Sequence, residues 1–411
     1  MTTTNKDPKA AEEELAADGS RAGVEAEPTL GSLDPFDPAS ISIEPRVVPM
    51  DTLLRRLKKG TIRLAPNFQR KYVWDDVRQS QLIESLMLRI PLPMFYVAGN
   101  EDGTWDVVDG LQRLTTIPNF ILGGDAEIPA AKSFRLSGLE FWGEKFNGKR
   151  FVDIERDESS ATVVNNILET EMRFTVINPG TPEEVKRNIF KRINTGGMPL
   201  TQQEIRHALY QGSSTRLLQR LGDHAKFKLA TSFSIDDSRM AARELVLRFL
   251  SFLVIHRSEF TGDMDRHLSD AMRLINEGAD ASDAKIARIF KSRIPKFQRH
   301  SPDELEKHFE TAMVRCRLLF GTHAFRKSVS GQRRTPINKA LFEAWSVLIC
   351  KLSDEEFGQL RSARNAFWRD YQELLQDDEF ERAISRDASS VSGVRTRYDA
   401  LETLVDNFTG G

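Results

Sequence analysis

The sequence contains few cysteines and no long apolar run, and these two absences exclude several classes of protein. Of 411 residues only Cys316 and Cys350 are cysteines, and they form neither a CxxC pair nor a Cys/His cluster. A disulfide framework is therefore excluded, and no zinc site is indicated. The apolar segment Leu250–Ile255 is far shorter than the roughly 20 residues needed to cross a bilayer. We expect no membrane span and a reducing environment.

The amino-terminal segment lacks both an apolar signal stretch and a hydrophobic periodicity. Residues 1–42 contain no apolar stretch of the kind that a secretory signal requires, so we expect a cytoplasmic protein. They are rich in Ala, Glu, Asp, Pro and Ser and show no hydrophobic periodicity. This composition predicts a disordered acidic tail.

The net charge of −2 hides an uneven distribution. Residues 1–45 carry ten acidic and three basic residues, a net charge of −7, so the remaining chain has a net charge of +5. Within it, Arg46–Lys71 holds eight basic residues and one acidic residue. Such a segment is either a solvated face or a surface for phosphate groups, and composition does not decide between them. If DNA binds here, the candidate residues are Arg55, Arg56, Lys58 and Lys59.

Local patterns then predict the order of the elements. Leucines at helical spacing predict a first helix within Arg46–Gly60, and Asp75 is a suitable N-cap for a second helix. The segments MFYVAG, TWDVVDG and EMRFTVIN are typical of strands. We interpret residues 123–170 as an irregular insertion that carries short strands.

The rest of the chain is dominated by helical patterns. Thr201 and Glu204 have the spacing of a capping box, and long amphipathic stretches follow from about residue 212. The prediction is an α+β protein: a tail over 1–42, an α/β domain over 43–180, and a mainly helical domain over 181–411. A homo-oligomer is compatible with this organisation.

The segment VVDGLQRLTTI is the first candidate for chemistry. A strand runs into Asp109-Gly110, and Asp109 with Gln112 has the spacing of a capping pair for a helix that begins at Gly110. Such a helix start leaves amides unpaired and favours an anion, phosphate above all. Arg113, with hydroxyls at Thr115 and Thr116, adds donors for phosphate oxygens. The alternative is an ordinary capped helix whose arginine pairs with a carboxylate.

Two further clusters are ambiguous when taken singly. In PNFQRKYVW, aromatic residues flank Gln69 and Arg70, which could stack a base and bind a phosphate or could belong to a core. In FKRINTGGMPL, two glycines between helices expose backbone amides, as an ordinary helix–helix turn also does.

In this order, the segments PNFQRKYVW, LIESLMLRIPLP, VVDGLQRLTT and FKRINTGGMPLTQQEIR resemble the GmrSD N-terminal domain family. The resemblance covers roughly residues 48–250 and implies a ParB/sulfiredoxin-like α/β fold with a helical extension. The family includes nucleotide-hydrolysing subunits of systems that restrict modified phage DNA.

The resemblance also implies a set of site residues. The nucleotide-binding positions would be Gln69, Arg70, Asp109, Gly110, Gln112, Arg113, Thr115, Asn194, Thr195 and Gly196. Among them Asp109, Gln112 and Arg113 would be catalytic. The expected cofactor is a nucleoside triphosphate of unknown base together with Mg²⁺, and no other metal ligand is assigned.

Two departures from the family pattern limit the activity that can be expected. The usual motif is Asp-Gly-Gln-Gln-Arg, and Leu111 replaces its first glutamine, so hydrolysis would be slow while phosphate binding survives. Many relatives also carry an HNH nuclease that begins His-x-x-Pro. None of the histidines beyond residue 250 is followed by proline three positions later.

The leading hypothesis is therefore a nucleotide-binding sensor or NTPase of an antiviral, restriction-like system, which acts with a separate nuclease or defence subunit. Two alternatives stay open: a DNA-binding module with a non-hydrolysing nucleotide pocket, and a metal-dependent ParB-like nuclease.

Overall fold

The computed structural model shows an α+β protein that divides into two compact units. One unit comprises Leu33–Leu209 and is called the α/β unit; the other comprises Met1–Ser32 with Tyr210–Gly411 and is called the helical unit. The described residues are 12–27, 42–64, 74–123, 133–182, 185–186, 189, 201–290, 293–329 and 331–410.

The α/β unit is built on a mixed sheet of five strands. These are β3 (Ile43–Pro49), β4 (Ile62–Arg63), β5 (Phe95–Gly99), β6 (Trp105–Asp109) and β7 (Glu171–Ile177). Their spatial order is β3-β7-β5-β6-β4. The β7–β5 and β6–β4 pairs are parallel, whereas β3–β7 and β5–β6 are antiparallel. The predicted strands MFYVAG, TWDVVDG and EMRFTVIN correspond to β5, β6 and β7.

Helices cover both faces of this sheet. They are α1 (Met50–Lys58), α2 (Asp76–Met87), α3 (Leu111–Ile121), α4 (Gly143–Phe146), α5 (Phe151–Glu155), α6 (Ala161–Leu168) and α7 (Gln202–Leu209). The larger core lies on one face, where Phe95 stacks on Phe174 with ring centroids 5.1 Å apart. On the other face Ala98 and Val108 pack against Ile205 of α7. Alternation of side chains along β5 and β6 produces both cores.

The predicted N-cap Asp75 agrees with the structure, whereas the first helix begins later than expected. Asp75 accepts a hydrogen bond from the Arg78 amide at 2.8 Å, as a helix N-cap does. Residues 46–49 belong to β3, and α1 begins only at Met50, because these residues pair with β7. A cross-strand partner more than 100 residues away overrides the local pattern.

In the described part of the insertion, residues 133–170, the prediction of short strands was wrong. Residues 143–168 contain α4, α5 and α6, and Phe146, Phe151 and Ile154 are buried. The carboxylate of Glu84, on α2, accepts hydrogen bonds from the amides of residues 140, 141 and 142 at 2.9, 2.8 and 2.9 Å. These bonds anchor the insertion to α2, which no local pattern could indicate.

The domain boundary also differs from the prediction. Thr201 and Glu204 form the expected reciprocal capping box: the Glu204 amide donates to Thr201 Oγ1 and the Thr201 amide donates to Glu204 Oε2. The helix that they open, α7, packs on β6 through Ile205. The α/β unit therefore continues to Leu209 instead of ending near residue 180.

The helical unit contains the remaining elements. Its helices are α8 (Ser213–Gly222), α9 (Ala225–Ala230), α10 (Ala241–Val254), α11 (Met264–Glu277), α12 (Asp283–Ile289), α13 (Pro302–Phe320), α14 (Lys339–Lys351), α15 (Asp354–Ser362), α16 (Arg364–Leu374), α17 (Asp378–Ala383) and α18 (Val391–Thr409). Every side chain of α10 is buried. None of the helices in the described part of the chain has the length and apolarity that a bilayer crossing requires.

Residues 12–27, which composition placed in a disordered tail, instead form an antiparallel hairpin of β1 (Glu13–Leu15) and β2 (Arg21–Glu25). The hairpin contacts the segment around the start of α14 in the same unit: Val24 forms a parallel bridge with Ile337, and the carboxylate of Glu14 pairs with the buried Lys339 ammonium. The segment is acidic because its carboxylates neutralise buried cations. Composition alone cannot distinguish such a segment from a disordered acidic tail in solvent.

A buried histidine makes the free energy of unfolding of the helical unit depend on pH. His267 packs on Phe252 with ring centroids 4.5 Å apart, and its Nε2 has no hydrogen-bond partner in the described structure. Burial lowers the pKa of His267 to about 3, and the charge of Arg248 contributes in the same direction. Below pH 6.5 the unfolded chain therefore binds a proton that the native chain does not.

We predict that His267 makes the protein less stable as pH falls below 6.5. The loss is about 1.4 kcal/mol per pH unit down to about pH 3, where the native histidine also protonates. Urea unfolding of wild type and His267→Leu at pH 5 and pH 7.5 measures it. The variant should lose less stability between the two pH values than wild type; an equal loss in both would contradict the assignment.

Candidate functional site

The junction between β6 and α3 has a backbone that requires glycine. Gly110 separates Asp109 from Leu111 and has φ 93° and ψ 12°, in the left-handed region. A Cβ at this position would lie 2.3 Å from Cδ1 of Phe95. The pairing of β6 with β5 is irregular here, because Val97 faces Val107 while Tyr96 faces Asp109. The resulting bulge directs the end of β6 into the turn.

The amino terminus of α3 carries unpaired amides. Gly110 is the N-cap residue and has no side chain, and the first amide bonded within the helix is that of Leu114, which donates to Gly110 O at 2.8 Å. In the described part of the chain, the amides of Leu111, Gln112 and Arg113 have no acceptor. The prediction that Asp109 and Gln112 cap this helix was wrong, because the Asp109 carboxylate is bonded to Arg113 instead.

Arg113 is fixed by three kinds of contact. Its Nη2 donates to Asp109 Oδ2 at 3.1 Å and to Met94 O at 3.4 Å, and its Nη1 donates to Pro93 O. The guanidinium also lies over the ring of Phe95, 4.5 Å from the centroid. Only 12% of the side chain is exposed, and this burial lowers the pKa of Arg113 while Asp109 opposes the shift. Arginine nevertheless stays protonated in proteins, so the junction holds a fixed positive charge.

The polar side chains of α3 near this junction differ in whether their hydrogen-bonding atoms have partners. Thr115 and Thr116 donate their hydroxyl hydrogens to Leu111 O and Gln112 O, both at 2.8 Å, within their own helix. Neither hydroxyl hydrogen is therefore directed at a ligand, although the oxygen of Thr115 can still accept. Gln112 differs, because its Oε1 is buried and has no partner among the described residues.

Leu111 occupies the position where the family motif has glutamine. Its side chain is half-buried and packs against the larger core of the α/β unit. An apolar residue is compatible with this position because part of its surface is removed from water. Leucine at this position therefore adds apolar contacts with the core. It also removes a side-chain amide next to the amino terminus of α3.

Several predicted site residues cannot be placed. Gln69, Arg70, Asn194, Thr195 and Gly196 lie outside the described residues. Their predicted contribution to the site stays a prediction. The described part of the site is thus the β6–α3 junction with Asp109, Gly110, Gln112, Arg113 and Thr115.

The four cations predicted to meet DNA are not equivalent. The guanidinium of Arg56 lies 3.7 Å from the ring centroid of Trp105, and its Nη2 donates to Gly103 O at 3.4 Å. Lys58 is half-buried, whereas Arg55 and Lys59 are exposed at the end of α1. Arg56 therefore contributes to the packing of α1 on the sheet, and Arg55 and Lys59 are the more exposed of the four cations.

Sequence reasoning did not find the residues that support Arg113. Pro93 and Met94 contribute only backbone carbonyls, and Phe95 contributes its ring face. A backbone carbonyl has no residue-specific signal, so only the pairing of β5 with β6 brings these groups to Arg113.

The described residues offer no ready metal cage at this junction. Among them, the group of three side chains that could hold an ion is His224, Glu306 and Glu310, in the helical unit. Glu306 and Glu310 already pair with Arg220 and Lys226 at 2.9 and 2.7 Å. A metal ion at Asp109 would therefore have to arrive with a ligand that supplies most of its oxygens.

Comparison with known families now identifies the domain. Residues 51–211 match the family model described as GmrSD restriction endonuclease, N-terminal domain. This segment is a GmrSD N-terminal domain. The match covers 161 of the 411 residues and contains the whole β6–α3 junction. It confirms the resemblance found in the sequence and connects the domain with restriction systems.

The other comparisons add nothing to this result. No curated protein and no solved structure shows a significant match to the chain. The helical unit, which lies almost entirely beyond the matched segment, is therefore interpreted from its own residues.

Proposed function

We propose that the GmrSD N-terminal domain of this protein binds a nucleoside triphosphate and thereby acts as a sensor or regulatory subunit of a restriction-like defence system. The observation that carries the proposal is the set of unpaired amides at the start of α3. An uncapped helix start places about half a positive charge next to free N–H groups, and phosphate is its natural ligand.

Gly110 and Arg113 prepare this helix start for an anion. Gly110 has no side chain to cover the amides, and the left-handed backbone turns the chain from β6 into α3. Arg113 adds a positive charge that Asp109 and two backbone carbonyls hold in place. Because the guanidinium already has these acceptors, its main contribution is charge at a fixed position.

The residues are compatible with Mg²⁺ carried by the nucleotide. Mg²⁺ prefers carboxylate oxygens, waters and phosphate oxygens, and Asp109 is the carboxylate at this junction. Its Oδ2 is bonded to Arg113, so Oδ1 would contact the ion or its water. The ion would neutralise phosphate charge, while Asp109 keeps Arg113 in its orientation.

Binding is a stronger expectation than turnover. In our proposal Asp109, Gln112 and Arg113 are the residues that would act in hydrolysis, with the unpartnered Oε1 of Gln112 available to orient a water molecule. Leu111 supplies no second amide, so we expect slow hydrolysis. We propose that a separate nuclease or defence subunit cleaves the DNA; no histidine beyond residue 250 of this sequence has the His-x-x-Pro spacing of an HNH nuclease.

We predict that Gln112→Glu weakens nucleotide binding at least about tenfold, because its carboxylate repels the phosphate. A carboxylate in the first turn of α3 favours the helix dipole by about 0.3–1 kcal/mol but repels a phosphate at the same amides. Calorimetric titration with ATP, GTP, CTP and UTP in the presence of Mg²⁺ measures the effect and identifies the base.

The matched control is Gln359→Glu, the same charge change on an exposed position of α15. It should bind nucleotide as wild type does. If wild type binds and Gln112→Glu binds equally well, the phosphate does not lie at the start of α3. If wild type gives no heat with any of the four nucleotides, the proposed function is wrong.

A further inference from the structure

The helical unit contains a cavity that the proposed function does not use. It has a volume of about 360 Å³, and the ends of α10 and α14 and the side of α18 surround it. A short antiparallel bridge between Ile255 and Phe297 closes one wall, where the His256 amide donates to Lys296 O at 2.9 Å. This volume is at the lower end of the range for small-molecule sites, and it suits a ligand of one or two rings.

The inner wall of the cavity is apolar and rich in aromatic rings. Phe252, Val347, Leu348 and Tyr398 line it, and the rings of Phe252 and Tyr398 lie 5.8 Å apart between centroids. Three of these side chains are buried within the core of the helical unit, while Leu348 is half-buried. A flat apolar ring would find complementary surfaces here.

The rim carries positive charge that is not neutralised. Lys296 and Lys351 line the cavity and are exposed, and neither forms an ion pair in the described part of the chain. Arg257 differs, because Glu402 and Asp399 accept its hydrogen bonds, the Nη2–Glu402 Oε2 distance being 2.7 Å. Burial lowers the pKa of His256, and the positive charges of Arg257, Lys351 and Lys296 lower it further. The rim therefore attracts an anion.

Tyr398 presents its ring, and not its hydroxyl, to the cavity. The hydroxyl oxygen is buried and has no hydrogen-bond partner among the described residues, although the residue lines the cavity. Burial raises the pKa of this hydroxyl, and the buried Glu343 carboxylate raises it further. The hydroxyl therefore lies within the core, and the ring is the part of Tyr398 that a ligand would contact.

We propose that this cavity binds a small aromatic anion, namely a one- or two-ring compound that carries one phosphate or carboxylate group. The ring lies against Phe252, Leu348 and Tyr398, and the acidic group lies between Lys296 and Lys351. The site is separate from the β6–α3 junction and does not depend on nucleotide binding there.

The first test uses the fluorescent probe 1-anilinonaphthalene-8-sulfonate with the full-length protein; this probe is an aromatic anion whose acidic group is a sulfonate. We expect saturable binding to native wild type, loss of the emission increase in Leu348→Trp, which fills the cavity, and about tenfold weaker binding in Lys296→Ala/Lys351→Ala. The matched control Lys307→Ala, an exposed lysine of α13, should bind the probe as wild type does. Unchanged emission in Leu348→Trp would overturn the proposal.

Competition distinguishes the chemistry of the acidic group. AMP supplies a phosphate and indole-3-acetate a carboxylate; displacement by either supports the site and shows which group it prefers. Displacement by neither would show that the dye alone binds and would overturn the proposal. Arg113→Ala should leave dye binding and displacement unchanged, so failure of the nucleotide hypothesis at α3 is distinguishable from failure here.

Tyr398→Phe is a second control, because it removes a hydroxyl that lies in the core and keeps the ring that lines the cavity. We expect the competitor that displaces the dye to bind this variant as it binds wild type. Weaker competitor binding in Tyr398→Phe, with an unchanged urea unfolding curve, would contradict the proposed seating of the ligand.

Discussion

Gly110→Ala is expected to destabilise the α/β unit by about 2–5 kcal/mol and to abolish nucleotide binding. The left-handed backbone costs an L-residue about 1–2 kcal/mol. The new Cβ would also lie 2.3 Å from Cδ1 of Phe95, and overpacking of this kind costs about 1–3 kcal/mol. The Arg113 guanidinium lies over the same Phe95 ring. A movement of Phe95 that relieves the contact with the new Cβ therefore displaces Arg113.

The control for this prediction is Gly103→Ala, in the turn between β5 and β6. Gly103 has φ 78°, but a Cβ there would meet nothing within 4 Å. It should lose about 1–2 kcal/mol from the backbone alone and keep nucleotide affinity. Urea unfolding gives the free energies, and peptide-level hydrogen exchange shows which unit unfolds. Equal losses in the two variants would show that the contact with Phe95 does not constrain the junction.

Arg248→Met is expected to destabilise the helical unit by about 3–5 kcal/mol. Arg248 is 2% exposed, and its guanidinium donates to Glu343 Oε2 at 3.0 Å, lies 3.5 Å from Glu244 Oε1, and pairs with Glu27 beyond the β1–β2 hairpin. Glu343 is fully buried. Arg397 still pairs with Glu343, and Lys339 still pairs with Glu244. Removing Arg248 nevertheless leaves the carboxylates of this buried network in excess and Glu27 without its cation. An excess of buried charge accounts for the large effect.

The matched control is Arg220→Met, because Arg220 pairs with Glu306 while 49% of its side chain is exposed. Surface pairs contribute about 0–1 kcal/mol, so this variant should unfold close to wild type. In Arg248→Met the amides of β1 and β2 should also exchange faster, since Glu27 loses its partner. A loss below about 1 kcal/mol, with unchanged exchange in the hairpin, would contradict the account of the buried network.

Local signals account for the parts of the fold that the sequence predicted. The Asp75 cap, the Thr201/Glu204 capping box and the alternating strands β5, β6 and β7 each depend on residues within one element. Short-range side-chain-to-backbone bonds and the period of two along a strand are readable without knowledge of the fold. The β6–α3 junction was found for the same reason.

The parts that were not predicted depend on distant partners. The β1–β2 hairpin is acidic because Glu14 and Glu25 meet Lys339 and Lys327, more than 300 residues away in sequence. The insertion is positioned by Glu84, whose three backbone donors lie more than 50 residues later. Neither arrangement leaves a pattern within a short window of sequence.

The candidate site shows the same division within a few residues. The sequence indicated a glycine at a helix start with an arginine in the first turn. It did not indicate that Asp109 would bond to Arg113 instead of capping α3, because both outcomes fit the same spacing. Nor did it show that Phe95 makes glycine obligatory at position 110. The changed role of Asp109 strengthens the site, since it leaves the first-turn amides free of a competing carboxylate.

The most direct test of the central claim is to observe those amides. We would record the amide resonances of Leu111, Gln112 and Arg113 in isotope-labelled full-length protein, with Mg²⁺ and each of ATP, GTP, CTP and UTP. Binding of phosphate at the start of α3 predicts that these three resonances shift more than that of Leu114, whose amide is already bonded to Gly110 O. If a nucleotide binds while these three resonances stay unshifted, or if no nucleotide shifts any of them, the claim is contradicted.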